Sequence, residues 1–156
     1  INNTVIFCNR KKDIDILSRY LTKKNFQTIS FHGDLVQTKR NEALNNFKNG
    51  FKKIMIASDV AGRGLDVENI SHVINYDVPN NPEDYVHRIG RTGRAGKKGV
   101  AITLVTKEDF KSINEIESLI KQKIKTLTLS LITPTLDDYN YDTLNSSDHI
   151  PNFLKR

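Results

Sequence analysis

Cysteine is nearly absent from this chain of 156 residues: it occurs once, at Cys8. A lone cysteine excludes a disulfide-stapled secreted scaffold, and its place in an apolar run reads as a buried, inert thiol. Long hydrophobic stretches are missing as well, since no run approaches the roughly 18 residues of a membrane span. The opening residues, INNTVIF, have neither an initiating Met nor the basic-then-apolar layout of a signal peptide, so Ile1 reads as a cut edge. A self-sufficient nucleotide cradle is also lacking. Neither the dinucleotide fingerprint G-x-G-x-x-G at a strand-to-helix turn nor the P-loop G-x-x-x-x-G-K-[ST] occurs. What remains, at 37% apolar content, suits one globular domain with a real core.

The charge that is present is basic and uneven. The net value is +6, with 22 Lys/Arg against 14 Asp/Glu in residues 1–128 and 2 against 4 in residues 129–156. A basic body fits a polyanionic partner, nucleic acid first, and it also fits a Lys-rich solubilising surface; charge alone leaves both open.

Short apolar runs alternate with helix-period segments. The runs are TVIFC (4–8), QTISFH (27–32), KKIMIAS (52–58), HVINYD (72–77) and GVAITLV (99–105). Their richness in Val, Ile and Phe predicts strands buried on both faces. Helices are predicted over Lys11–Lys24, with Ile14, Leu17 and Leu21 inward, and over Gln37–Asn49, with Ala43, Leu44 and Phe47 inward. A third is predicted over about Lys107–Lys123, with Phe110, Ile113, Ile116 and Ile120 inward. The alternation implies an α/β fold, mostly parallel, with right-handed crossovers and helices on both faces. Residues 1–128 read as one domain. Residues 129–156 read as a turn-rich, polar extension, and TLTLSL as one further strand at its start.

Ligands of open parallel sheets bind beyond the carboxyl ends of the strands. Polar and glycine-bearing segments fall there: Asn9–Arg10, then HGD (32–34), then SDVAGRGLD (58–66), then DVPN (77–80). Gly62 and Gly64 permit a tight turn and close approach to a ligand. Ser58 offers a hydroxyl and an N–H at a strand end, a common phosphate contact. Asp66 suits either a sugar hydroxyl or a turn. The segment HRIGRTGRAG (87–96) spaces Arg88, Arg91 and Arg94 by three, which on a helical turn puts them on one face. Forked guanidinium donors suit phosphate oxygens; solvated arginines on an exposed helix end are the plainer alternative.

HRIGRTGRAG resembles the last conserved motif of the DEAD-box RNA helicases, H-R-I-G-R-x-G-R. SDVAGRGLD resembles their T-D-V-A-A-R-G-L-D, with Ser58 for Thr and Gly62 for the second Ala. VIFCNRKK (5–12), HGDLVQTKR (32–40) and VINYDVPNNPEDYVHRIGR (73–91) extend the likeness across about residues 4–124 in family order. Such enzymes have two RecA-like lobes. Their P-loop and Asp-Glu-Ala-Asp box lie in the first lobe, so the resemblance is to the C-terminal, three-layer RecA-like lobe alone.

That resemblance implies a role for each matched residue. Arg91 and Arg94 would be catalytic arginine fingers on the γ-phosphate of ATP, with Gly64 and Asp66 at its ribose. Arg63, His87 and Arg88 would hold the interface between lobes. Asn9, His32, Gly33, Arg40 and Ser58 would meet the RNA sugar-phosphate backbone. ATP and Mg2+ would be held mainly by the first lobe, with no metal ligands here. Implied partners are RNA, the N-terminal lobe and accessory proteins, with no membrane and a cytoplasmic setting. Two rivals stand beside this reading. One is a stand-alone RNA-binding module that hydrolyses nothing. The other is a Rossmann-type nucleotide binder, which needs the absent fingerprint.

Overall fold

The computed structural model describes residues 3–63, 67, 70–93 and 98–127. By internal contacts the chain divides into two units, Ile1–Ile124 and Lys125–Arg156. The fold described below is that of the first unit. The predicted strand TLTLSL and the extension from 129 lie largely or wholly outside the described residues.

Five strands form: β1 (Thr4–Phe7), β2 (Thr28–Phe31), β3 (Ile54–Ala57), β4 (His72–Asn75) and β5 (Val100–Thr103). All pair in parallel, in the order β2-β3-β1-β4-β5. Parallel neighbours need a crossover, and the helix-period segments supply them: α1 (Lys11–Lys23) and α2 (Gln37–Lys48) lie where the sequence predicts helices. Side chains alternate across each strand. Val5 and Phe7 join Met55, Ala57, Val73, Ala43 and Phe47 on the α2 face. Ile6 and Cys8 join Ile54, Ile56, Ile14 and Leu17 on the α1 face. Each such buried Val, Ile or Phe contributes about 1.5–3 kcal/mol of transfer free energy. Cys8 is fully buried and free, and burial pushes its thiol pKa well above the ordinary cysteine range.

Three expectations need correction. First, the strands are not all buried on both faces. β1 and β3 are, but β5 is an edge strand among the described residues, with Val100, Ala101 and Ile102 exposed. Second, Phe110 does not point inward. A 3-10 turn over Lys107–Asp109, closed by a reciprocal Thr106–Asp109 cap, precedes the last helix, and Phe110 is 57% exposed. The inward stripe begins one turn later at Ile113 and continues through Ile116 and Ile120. Third, two helices were not anticipated. α3 (Asp59–Gly62) is one turn directly after β3, and α4 (Pro82–Ile89) precedes the final helix α5 (Phe110–Ile120), against which it packs through Tyr85 and Ile116.

Candidate nucleotide and nucleic-acid rim

The register makes the strands end level: Phe7 stands beside Ala57 and Asn75, Phe31 beside Ala57, and Asn75 beside Thr103. The loops that follow are therefore gathered along one rim. Short helices finish it. α4 starts at Asn81, whose side chain accepts a hydrogen bond from the Glu83 amide at 3.0 Å, with Pro82 in the first helical position. Both are helix-start signals, and the acidic pair Glu83–Asp84 complements the positive end of the helix dipole.

Arg88 is the centre of the rim, and it is only 1% exposed. Its Nε and Nη2 donate to the two carboxylate oxygens of Asp59 at 2.6 and 2.8 Å. Its Nη1 donates to the Asp77 carbonyl at 2.7 Å and reaches Asn75 Oδ1 at 3.5 Å. A second Nη2 bond runs to Asn9 Oδ1 at 2.7 Å. These acceptors match the five N–H donors of guanidinium, which is why a charge is tolerated here. The group also lies 5.4 Å from the Phe7 ring centroid. Asn9 spends its side chain in the same web: its Nδ2 donates to the Val78 carbonyl at 2.8 Å, and its backbone N–H donates to Asp77 Oδ2 at 2.8 Å. Burial raises the Asp77 pKa, and the bond from Asn9 works against that rise.

The expectation that the arginines share one face therefore fails for Arg88. α4 stops at Gly90, so helical spacing ends before Arg91. Arg88 lies on the buried stripe with Tyr85, three residues earlier, while Arg91 is half-buried beyond the helix end, its Nε 3.3 Å from the His87 carbonyl. Arg88 accordingly spends its guanidinium on partners within the lobe, at the floor of the hollow that Arg91 also lines.

On one side of Arg88 is a small hollow lined by Arg63, Asp84, His87 and Arg91, with Phe7 and Gly62 against it. Arg63 donates to Asp84, and His87 Nδ1 lies 3.6 Å from the same carboxylate oxygen. Burial alone would raise the Asp84 pKa, but the Arg63 and His87 partners hold it below the usual carboxylate value. At Gly62 the backbone lies tight against Phe7: a Cβ there would sit 2.5 Å from Phe7 Cε1.

After β2 and β3 stand His32, Gly33 and Ser58, with Arg40 on α2. His32 is buried, with Nε2 3.3 Å from Asp15 Oδ1, and its Nδ1 has no partner. Arg40 Nε is likewise buried and unpartnered, and its guanidinium lies 5.7 Å from the Phe31 ring centroid. These two buried nitrogens lack partners, His32 beside α1 and Arg40 on α2, and such groups are costly in isolation, which points to polar ligand contacts. Gly33 is exposed, with open space where a side chain would stand. Ser58 is buried; its carbonyl accepts from Gly62 N at 2.8 Å, and its hydroxyl caps nothing in α3. Lys11 bonds Asp34 at 2.5 Å and holds that exposed carboxyl below its ordinary pKa.

Gly64, Asp66 and Arg94 lie outside the described residues. Reading the sequence missed Asp59, Asn75 and Asp84, the partners that fix the arginines. The signal for Asp84 was available in the Asn81–Pro82 helix start. Asp59 offered none, because a bidentate partner 29 residues away is set by the fold. Among the described residues no three His, Cys, Asp or Glu gather to hold a metal, and no helix is long and apolar enough to cross a membrane.

Comparison with known proteins bears on the family and the fold. The model of the helicase conserved C-terminal domain matches residues 1–96. The ATP-dependent RNA helicase FAL1 of Kluyveromyces lactis is 52% identical over 125 residues, covering 80% of this chain and 31% of that protein. The chain spans about a third of the length of the curated relatives it matches. Among solved structures, the Escherichia coli DEAD-box protein SrmB bound to regulator of ribonuclease activity A superposes with a TM-score of 0.78 at 32% identity, over 96% of this chain and 81% of that one. Saccharomyces cerevisiae Dbp5 bound to RNA and ADP BeF3 gives 0.75 at 35% identity, over 81% and 34%.

Proposed function

Because the chain belongs to the DEAD-box proteins, as the RecA-like lobe of the helicase conserved C-terminal domain family, we propose that it completes the ATP site of an ATP-dependent RNA helicase and grips the RNA backbone. The observation that carries this is the arrangement around Arg88. One buried guanidinium ties α4, which carries His87 and leads to Arg91, to the ends of β1, β3 and β4 through Asn9, Asp59 and Asp77, while His32 and Arg40 around β2 each keep a buried nitrogen without a partner.

ATP would bind mainly to the first lobe, with Mg2+ supplying charge neutralisation at its phosphates when bound there. In the closed enzyme Arg91 and Arg94 approach the γ-phosphate and stabilise the charge that develops on its oxygens as the bond to the β-phosphate breaks. Such fingers are worth roughly 10³–10⁵ in rate, or about 4–7 kcal/mol of barrier. Arg63 and His87, both on the hollow and both tied to Asp84, form this lobe's side of the interface. Gly64 and Asp66 serve the ribose. On the RNA side, Arg40 and His32 offer their N–H groups to phosphate, Gly33 lets the strand approach, and Ser58 and Asn9 set the shape of the loops. Contacts to phosphate carry no sequence information, so binding is sequence-tolerant and salt-dependent. Closure bends one strand and separates short duplexes. Accessory proteins are partners of the same class as the one bound to SrmB.

The test joins this lobe to its first lobe and measures RNA-stimulated ATP hydrolysis. Arg91→Ala and Arg94→Ala should each lower turnover by orders of magnitude while RNA affinity survives. Unchanged turnover in both would remove the finger assignment. Absence of hydrolysis in the joined wild-type protein, with RNA binding retained, would favour the binding module instead.

A further inference from the structure

The end of the sheet opposite the rim carries a feature that the helicase reading does not use. α1 and α2 terminate with the same device. A residue in the left-handed region, Asn25 (φ 64°) after α1 and Gly50 (φ 75°) after α2, is followed directly by a phenylalanine. Phe26 is 47% exposed and Phe51 is 69% exposed. Neither belongs to any of the three apolar clusters, whereas Phe7, Phe31 and Phe47 are all buried. The same turns are lysine-rich: KKNF (23–26) and KNGFKK (48–53). No Asp or Glu occurs between residues 16 and 33 or between 43 and 58.

The fold sets the two turns side by side. β2 and β3 are neighbours, and the Gln27 carbonyl accepts from the Lys53 and Ile54 amides at 3.0 and 3.1 Å. Phe26 N donates to Leu21 O at 3.0 Å and Lys52 N to Asn46 O at 3.0 Å, so each turn is closed on its own helix with its aromatic outward. Lys24 and Lys53 are exposed and Lys52 half-buried, with Lys23 and Lys48 flanking them. Four-residue strands at about 3.3 Å per residue keep this surface roughly 10 Å or more from the rim.

We propose that the turns Lys23–Phe26 and Lys48–Lys53 form a second contact for single-stranded RNA, in which Phe26 and Phe51 stack bases and the lysines meet phosphates. Alternating cations and exposed rings match a strand of alternating phosphates and bases, and ring–base stacking is tolerant of sequence. The inference rests on the reading of this lobe as RNA-binding. It extends the path of the strand past the rim to the far end of the sheet.

The 156-residue chain is titrated against a fluorescein-labelled oligouridylate by anisotropy at several salt concentrations. Phe26→Ser with Phe51→Ser should weaken binding by about fivefold or more. Lys24→Gln with Lys52→Gln and Lys53→Gln should lower the log–log salt slope by roughly 2. Ultraviolet crosslinking of the unaltered chain should place adducts on Phe26 or Phe51, a readout independent of any variant's folding. If these variants bind as the parent does and adducts stay at the rim, while Arg40→Ala weakens binding, the second contact is overturned and the lobe's RNA reading stands. If the parent chain binds no RNA, both fall. A polyglutamate peptide that displaces the RNA and depends on the same two phenylalanines would assign the surface to an acidic protein segment and overturn the proposal.

Discussion

Arg88 and Arg91 are three residues apart in one motif, yet they do different work. Arg88 gives its donors to Asp59, Asn9, Asn75 and Asp77, while Arg91 stands at the hollow. The residue types of the rim were legible in the sequence, because glycines, arginines and short polar residues at strand ends have few purely structural uses. Their inequality was not, because it depends on where α4 stops. Removing a buried partner leaves an uncompensated charge, so Arg88→Met should destabilise the chain by about 3–5 kcal/mol in urea unfolding. Combining it with Asp59→Asn should recover part of that loss, since no orphan carboxylate remains; Arg88→Lys should fall between, keeping the charge and losing the fork. An unchanged midpoint for Arg88→Met would contradict a structural keystone. Gly62 is a second residue whose identity is now explained. Its missing Cβ makes room for the Phe7 ring that faces Arg88, so Gly62→Ala, the residue more usual at this place in the family, should cost about 1–3 kcal/mol by overpacking. Thermal unfolding checks it, and pairing Gly62→Ala with Phe7→Leu should relieve the strain.

α4 shows what pattern alone could and could not reveal among the elements. α1 is long and amphipathic, α2 is long but buries only Ala43 and Phe47 fully, and the extents of both match expectation within a residue. α4 spans eight residues, too short for a periodic signal, and only its Asn81–Pro82 start betrays it. It carries the acid sensitivity of the hollow. Asp84, held below its ordinary pKa by Arg63 and His87, binds a proton less readily folded than unfolded. Its contribution is therefore fully present above about pH 4, the ordinary aspartate value, and is lost as pH falls through the lower folded value. Arg63 is more than half exposed, so solvent screening keeps the pair's contribution small. Asp84→Asn should remove that increment at pH 7 and flatten the acid limb of the stability curve. A variant curve parallel to the parent's down to pH 3 would show the pairing contributes nothing.

Across the whole molecule, strand order is what the sequence withheld. TVIF of β1 and VAIT of β5 are equally apolar, and composition predicts both to be buried on two faces. Only the crossovers place β1 at the centre of the sheet and β5 at its edge. Among the described residues β5 has one hydrogen-bonded neighbour, and Val100 and Ile102 are already largely exposed, so local opening there exposes less new apolar surface than at β1. β1 and β3 are bonded on both sides and covered on both faces, so their amides open only when the sheet itself comes apart. Native-state hydrogen exchange should therefore rank the strands. Amides of Val5, Ile6, Met55 and Ile56 should exchange last, with free energies near that of global unfolding. Those of Ala101, Ile102 and Thr103 should exchange earlier, through openings that leave the centre protected. The rim loops between these extremes are anchored by Arg88, so Arg88→Met should bring the exchange of Asn9 and Asp77 toward that of β5 while leaving Val5 and Met55 the slowest. If β5 instead exchanged together with β1 in the parent chain, the sheet would be one cooperative unit and the edge would have no independent opening.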